Sequence, residues 1–513
     1  MEDFFTRFGN MTGIQKISNS EIPVPLGVSD NIVSLLDIEM FNPESRFLDI
    51  SCKSGRLLIS IYNKLYSSKY LSHMDEATRR RHILDNQLYA ICSSIDSAMI
   101  VRKQLYGDPG IIGKTIYIDN YTNRVNRDLN RILELILKEF NGMKFDVVVG
   151  NPPYNNDIYL DFVTLADKLT KTETGKILMV TPAKWQAKTD SRHKSNSGGL
   201  RIDKNETFRQ NMVPRMSKIV FYKDAQEVFD IVENGGISYF LIDRVKHDIK
   251  QIKTICSINN SLDSNSFEDH DEKTPVLLSH RILSVIGKIG TLGDGFRQSL
   301  YIKNTDHGEN SIIGTLGFRR QEFTGEQDRG EYIPQGPIKG RDYVEVMQGE
   351  KIVGYKAIKD LNTTDNLDKY KCIASCMMGY SAIFNGESKV YGSPYINIIG
   401  PNQVPKGSFM VLKYANTLNE AESFRSYIQS KLVSFLFFLG ICGATMTKEF
   451  FRYVPDPNDW MLIYEDEPLP GYIPDENGVY IDSDGKKHCA LYNKYKLDES
   501  DIELVESIIK VRK

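Results

Sequence analysis

The sequence has no apolar run long enough to span a bilayer, no Cys-x-x-Cys pair and no internal repeat, and its charges almost cancel. The longest apolar stretch, residues 432–444, falls short of the about 20 residues that a membrane helix needs and reads as a buried helix. No basic segment followed by an apolar run stands at the N-terminus (MEDFFTRFGN), so no secretory signal and a cytoplasmic location are expected. The seven cysteines, at 52, 92, 256, 372, 376, 442 and 489, are odd in number and scattered, which argues for reduced thiols and against a disulfide framework or a structural zinc. Cys372 and Cys376 are four apart and Cys489 follows His488, but no metal is expected there. A net charge of −3, from 64 basic and 67 acidic residues, gives the chain as a whole no signature of a polyanion partner.

What is present is the composition of a globular protein, 41% hydrophobic and 26% charged. Its 513 residues exceed what one core usually fills, so two or more domains are expected. Charge is unevenly placed. Between Lys184 and Lys223 ten Lys/Arg face three Asp/Glu, an excess of seven, which reads either as a solvated loop or as a surface that contacts phosphates.

The first half alternates short β-branched runs (46–50, 88–95, 115–118, 145–149 and 176–180) with stretches of helical spacing (56–66, 97–106, 128–140 and 159–169). That is the pattern of an α/β, doubly wound domain with a parallel sheet. Residues 235–242 read as a late strand of the same sheet. Beyond about Cys256 the chain is polar, then broken into short β-like runs by Gly and Pro, which predicts a mixed α+β second domain. Near the end, Asn477-Gly478 and Asp484-Gly485 mark hairpin turns before an amphipathic helix over 499–510. The expected division is a first domain at 1–255, a second at 256–455 and a hairpin-helix tail at 456–513.

The segment 145–154 (FDVVVGNPPY) carries the most chemical information. A buried strand delivers Asn151-Pro152-Pro153-Tyr154 at its carboxyl end, where open α/β sheets place their ligands. Two prolines remove two backbone donors and hold φ near −65°, so the Pro152 carbonyl is left out of any regular ladder as a bare acceptor. The Asn151 side-chain oxygen is a second acceptor, and Tyr154 offers a flat face. Two converging acceptors beside an aromatic plate suit an amino group on a planar ring. Both amino hydrogens are held, the nitrogen is drawn towards tetrahedral geometry, and its lone pair is freed to attack a methyl sulfonium. Positioning and electrostatics can then supply most of the acceleration.

At these residues the chain resembles the amino-type adenine DNA methyltransferases of restriction-modification systems, especially the Type II branch related to fused restriction and modification enzymes. The resemblance implies a Rossmann-like S-adenosylmethionine-dependent methyltransferase domain followed by a target-recognition domain, with Asn151, Pro152, Pro153 and Tyr154 receiving an adenine flipped out of double-stranded DNA. It extends upstream to 47–55 (FLDISCKSG), which is similar to the strand and turn that hold the methionine part of the cofactor. There Asp49, Ser51 and Gly55 are the implied contacts, although Lys53 stands where the family has Gly and Ile50 where it often has Pro. Asp96 is implied for the ribose hydroxyls and Asp119 for the cofactor adenine; each alone also reads as a helix cap or turn residue. Gly27 to Asn31 resembles the family's N-terminal segment that closes over the cofactor, with Ser29-Asp30 in place of the common Thr-Pro. After the catalytic motif, 180–185 resembles the next strand and loop, so Lys184, Lys188, Arg192 and Lys194 become candidate phosphate contacts. Phe221 or Tyr222 is a candidate second face for the base, and a core aromatic is the other reading of both.

Asn-Pro-Pro-Tyr also serves enzymes that methylate glutamine amides, and related motifs serve RNA amino groups. The motif order and some 250 residues after the catalytic sheet favour DNA. A fused nuclease is not expected, because only about 25 residues precede the first cofactor-like segment. Cleavage would therefore need a separate restriction endonuclease subunit. A DNA-binding subunit with an inactive methylase domain remains the third reading.

Overall fold

The computed structural model describes residues 22–25, 27–186, 193–194, 200–201, 204–229, 231, 233, 235–247, 252–258, 261–266, 280–290, 319–320, 342–377, 390–441, 446, 448–451, 453–455, 473–474, 480–481 and 490–509. The chain forms two compact units, Met1–Leu277 and Leu278–Lys513.

The first unit is built on nine strands: β1 (Phe47–Asp49), β2 (Leu88–Cys92), β3 (Thr115–Tyr117), β4 (Val147–Gly150), β5 (Lys176–Pro182), β6 (Met216–Tyr222), β7 (Ile237–Ile242), β8 (Lys253–Ile258) and β9 (Ser261–Ser266). Their order across the sheet is β9-β8-β6-β7-β5-β4-β1-β2-β3. Neighbours from β5 to β3 are parallel, β7 runs antiparallel to both β5 and β6, and β8 is parallel to β6. The chain moves outward from β1 to β3 and then returns to lay β4 on the other side of β1. The carboxyl ends of β1 and β4 therefore flank a topological switch point, the crevice where open α/β sheets bind ligands.

The near-continuous apolar strands follow from burial on both faces. Phe47, Leu88, Ala90, Val147, Val149, Leu178 and Val180 point into one core, and Leu48, Tyr89, Ile91, Val148, Ile177 and Met179 into the other, as a two-residue period requires. The first core is covered by α1 (Val28–Val33), α2 (Arg56–Tyr66) and α3 (Ile95–Tyr106); the second by α4 (Tyr121–Arg127), α5 (Leu129–Glu139), α6 (Ile158–Leu169) and α7 (Lys204–Met212). Among the described residues no helix is long and apolar enough to cross a membrane.

Two expectations change. The boundary set between residues 255 and 256 falls inside β8, whose pairing with β6 runs from Lys253 to Ser257, so the polar stretch after Cys256 begins as two further strands of the first sheet. Of the tail expected at 456–513, the described terminal helix packs into the second unit rather than standing apart. In the second unit, the terminal helix α11 (Glu499–Ile508) packs on α8 (His280–Ile289) and on α10 (Lys431–Gly440), and α10 also meets α9 (Leu418–Gln429). Lys288 of α8 reaches both Asp498 and Asp501 at the amino end of α11. Leu432 to Leu439 of α10 are all buried, which accounts for the longest apolar run. The described residues of this unit also include two small sheets around Val346, Ile373, Val404 and Val411. Around the first expected hairpin, Ile473–Pro474 and Tyr480–Ile481 pair antiparallel, while the turn residues themselves and Asp484-Gly485 lie outside the described residues.

Candidate active site

Asp49 closes β1 and is almost fully buried, at 4% exposure. Its carboxylate accepts from the Ser51 amide at 3.1 Å. Burial raises its pKa to about 6, against the opposing pull of the Ser51 N–H, the Cys52 thiol and the Lys53 charge. The turn then passes Gly55, whose φ of +75° allows the abrupt entry into α2. A cavity opens here, lined by Ile22, Pro23, Val24, Asp49, Ser51 and Asn151 together with residues 53–57. The Ser51 hydroxyl is buried and has no hydrogen-bond partner, so the cavity wall carries a polar group in want of one. Gly150 brings β4 alongside: a Cβ there would lie 2.8 Å from the Ser51 Oγ.

Asn151 follows directly and is 3% exposed. Its Nδ2 donates to the Ile22 carbonyl at 2.8 Å, and its Oδ1 accepts from the Tyr154 hydroxyl at 2.7 Å. The oxygen is thus held in orientation with one lone pair engaged and a second available. The Pro152 carbonyl accepts no hydrogen bond among the described residues, as the two prolines predict. Tyr154 is half-buried against the core that includes Tyr222, and burial keeps its hydroxyl protonated by pushing the pKa well up. It therefore does more than present a face, because its hydroxyl also aims Asn151.

The outer acids are placed differently. β2 ends at Cys92 rather than at 95, so Asp96 sits in the first turn of α3, exposed and past the strand end; Ser94 caps that helix. An acid there complements the helix dipole, and the strand-end position expected for the ribose contact is held by Cys92. Asp119 lies two residues beyond β3, also exposed, and accepts from the Asn120 side chain at 3.4 Å. Neither lines the cavity, whereas Asp49, Ser51 and Gly55 do. Phe221 and Tyr222 are buried in the core. Lys184 forms an ion pair at 3.1 Å with Asp157, a residue held in the left-handed region (φ +58°) at the start of α6. Lys188 and Arg192 lie outside the described residues, and of Lys194 only the backbone is described.

Several contributors were missed. The segment that closes on the cavity is Ile22 to Val24, upstream of the Gly27 to Asn31 stretch, which starts α1 and docks through Ser29 on Ser60 of α2 at 2.9 Å. Lys53 donates to the Ile22 carbonyl at 3.2 Å and Arg56 to the Val24 carbonyl at 2.8 Å. Glu233 is a half-buried carboxyl whose charge acts on Tyr154 and whose pKa is raised mainly by desolvation. Only the proximity of Lys53 and Arg56 to Gly55 hinted at any of these from sequence.

Residues 86–197 match the model of the Eco57I restriction-modification methylase family. That span is similar to a restriction-modification methylase domain. The matched span contains β2 through β5 and the whole Asn-Pro-Pro-Tyr loop. Among its relatives is an uncharacterized adenine-specific methylase of Mycoplasma pneumoniae, 23% identical over 300 residues, which cover 44% of this chain and 68% of that protein. Among solved structures, the methyltransferase subunit of a type I restriction-modification system from Streptococcus thermophilus is 12% identical over 54% of this chain and 55% of its own, with a TM-score of 0.32. A nuclease-deletion mutant of the Type ISP restriction-modification enzyme LlaGI, in complex with a DNA substrate mimic, is 10% identical over 84% of this chain and 53% of its own, with a TM-score of 0.47. The chain spans little more than half the length of these two proteins.

Proposed function

We propose that this chain transfers a methyl group from S-adenosylmethionine to the exocyclic N6 amino group of an adenine flipped out of double-stranded DNA, as the modification component of a restriction-modification system. The observation that carries the reading is the convergence at the switch point of a buried Asp49, an unpartnered Ser51 hydroxyl and an Asn151 whose oxygen is aimed by Tyr154. The unsatisfied Ser51 Oγ and the buried carboxylate fit a cofactor with a polar, positively charged amino-acid end. Asp49 would hold that ammonium, Ser51 would donate to or accept from the neighbouring polar atoms, and Gly55 would let backbone come close. The cofactor supplies a methyl group on a cationic sulfur.

Everything else is the work of this chain. Asn151 Oδ1 keeps one lone pair, and the Pro152 carbonyl is unoccupied, so the loop offers two acceptors for two amino hydrogens. Both residues are buried, and in a site from which water is excluded such fixed dipoles act more strongly than in solution. The ring of Tyr154 gives the base a plate to stack on. The second unit, Leu278–Lys513, takes the part of target recognition, and the basic stretch after Pro182 takes phosphates.

Removing only the Tyr154 hydroxyl tests the aiming role. Tyr154→Phe keeps the ring and frees Asn151 Oδ1, and kcat is expected to fall about tenfold, the value of one buried hydrogen bond, with DNA affinity unchanged. An unchanged kcat would reduce Tyr154 to a stacking surface. For the basic stretch, replacing Lys184, Lys188, Arg192 and Lys194 by Gln should flatten the slope of log affinity against log salt by about 0.9 for each phosphate no longer neutralised. A slope identical to wild type would return these residues to the solvated-loop reading.

A further inference from the structure

Lys53 breaks the family pattern of the cofactor turn, yet the structure gives it a defined place. It is not one of the residues with positive φ, so a side chain at this position does not strain the turn; Gly55 alone takes the left-handed conformation there. The ammonium lines the same cavity as Asp49, acts on the Asp49 carboxylate, and donates to the neutral carbonyl of Ile22 at 3.2 Å. Ser54, Gly55 and Arg56, at the start of the eleven-residue α2, line the same cavity, and no side chain caps that helix. The cavity is therefore lined by the cations Lys53 and Arg56, by the buried carboxylate of Asp49 and by the Ser51 hydroxyl, which has no hydrogen-bond partner among the described residues.

A free α-amino acid end carries an ammonium and a carboxylate on one carbon, and this cavity presents a partner for each. We infer that Lys53 is the residue that binds the α-carboxylate of the methionine part of the cofactor, opposite Asp49 at the α-ammonium. The inference rests on S-adenosylmethionine being the cofactor. A hydrogen bond from an ammonium to a carboxylate is roughly twice as strong as one to a neutral carbonyl, so the ligand's carboxylate displaces the Ile22 oxygen as the acceptor of Lys53. The Ile22 carbonyl keeps its bond from Asn151 Nδ2. The substitution of Gly by Lys thus adds a contact to the ligand where the family pattern relies on backbone.

The test uses the full chain in calorimetric titrations with S-adenosylhomocysteine and with its decarboxylated analogue, which differs only in lacking the carboxylate. Wild type is expected to prefer S-adenosylhomocysteine by about tenfold or more, the value of one charge-assisted hydrogen bond. Lys53→Met should erase most of that preference by weakening S-adenosylhomocysteine alone, and Lys53→Arg should retain it. Equal binding of the two ligands by wild type overturns the inference without recourse to any variant. A folded Lys53→Met protein that keeps the full preference also overturns it, while leaving the cofactor reading intact. Failure of wild type to bind S-adenosylhomocysteine, its decarboxylated analogue and S-adenosylmethionine would remove both together.

Discussion

Asn151→Ala is expected to lower kcat for methyl transfer by about a hundred- to a thousandfold, the usual cost of deleting one preorganised polar contact at a reacting centre. The variant removes the acceptor that Tyr154 aims, so the loss belongs to the chemical step. Cofactor affinity should move far less. The Nδ2 bond to Ile22 tethers the segment that lines the cavity, and losing one such neutral bond is worth about 1 kcal/mol, or roughly fivefold. Single-turnover kinetics beside a cofactor titration separate the two effects. A loss of cofactor affinity as large as the loss in kcat would mean that Asn151 serves the cofactor rather than the acceptor amine.

Asp49→Asn should produce opposite changes in stability and binding. The carboxyl titrates at about 6 in the folded chain against 3.8 for an aspartate free in water, because burial penalises its charge. A raised acid pKa contributes stability below about pH 4 that is lost as pH rises through 6, so at pH 8 the buried charge costs about 3 kcal/mol. Asparagine has no charge to bury. The variant should therefore be more stable than wild type at pH 8, by up to about 3 kcal/mol in denaturant titrations, with the gain vanishing towards pH 4. Cofactor binding should nonetheless fall by about a hundredfold, the cost of leaving a buried charge without its partner. In wild type the affinity for the cofactor should rise with pH through about 6 as Asp49 ionises, and that rise should be absent in the variant. A variant less stable than wild type at pH 8 would show that the carboxylate is held by structural partners and is not poised for a ligand.

Much of the fold was legible because the central strands are buried on both faces and their helices are regular. The helix expected at 56–66 is found as Arg56–Tyr66, since Gly55 marks its start and apolar residues recur at its spacing. The loop at 151–154 was legible for a local reason: two prolines after a buried strand take the Pro152 carbonyl out of any regular ladder and leave it unpaired among the described residues. Contacts made at long range were not. Ile22 meets Asn151 across 129 positions, and no local pattern announces that a backbone carbonyl will be shared by an amide and an ammonium. Asp96 was misplaced because the apolar run at 88–95 reads as one strand, whereas the strand stops at Cys92 and Ser94 caps the next helix. β6 went unread because its basic flanks made the stretch look like a charged loop, although Ile219 to Tyr222 are buried.

The most direct test is to incubate the purified chain with DNA and S-adenosylmethionine carrying an isotopically labelled methyl group, then digest the DNA to nucleosides and resolve them by mass spectrometry. The label is predicted in N6-methyl-2′-deoxyadenosine and absent from it with Asn151→Ala. Label in a cytosine derivative, or in RNA or protein offered in parallel while DNA stays unlabelled, would contradict the account.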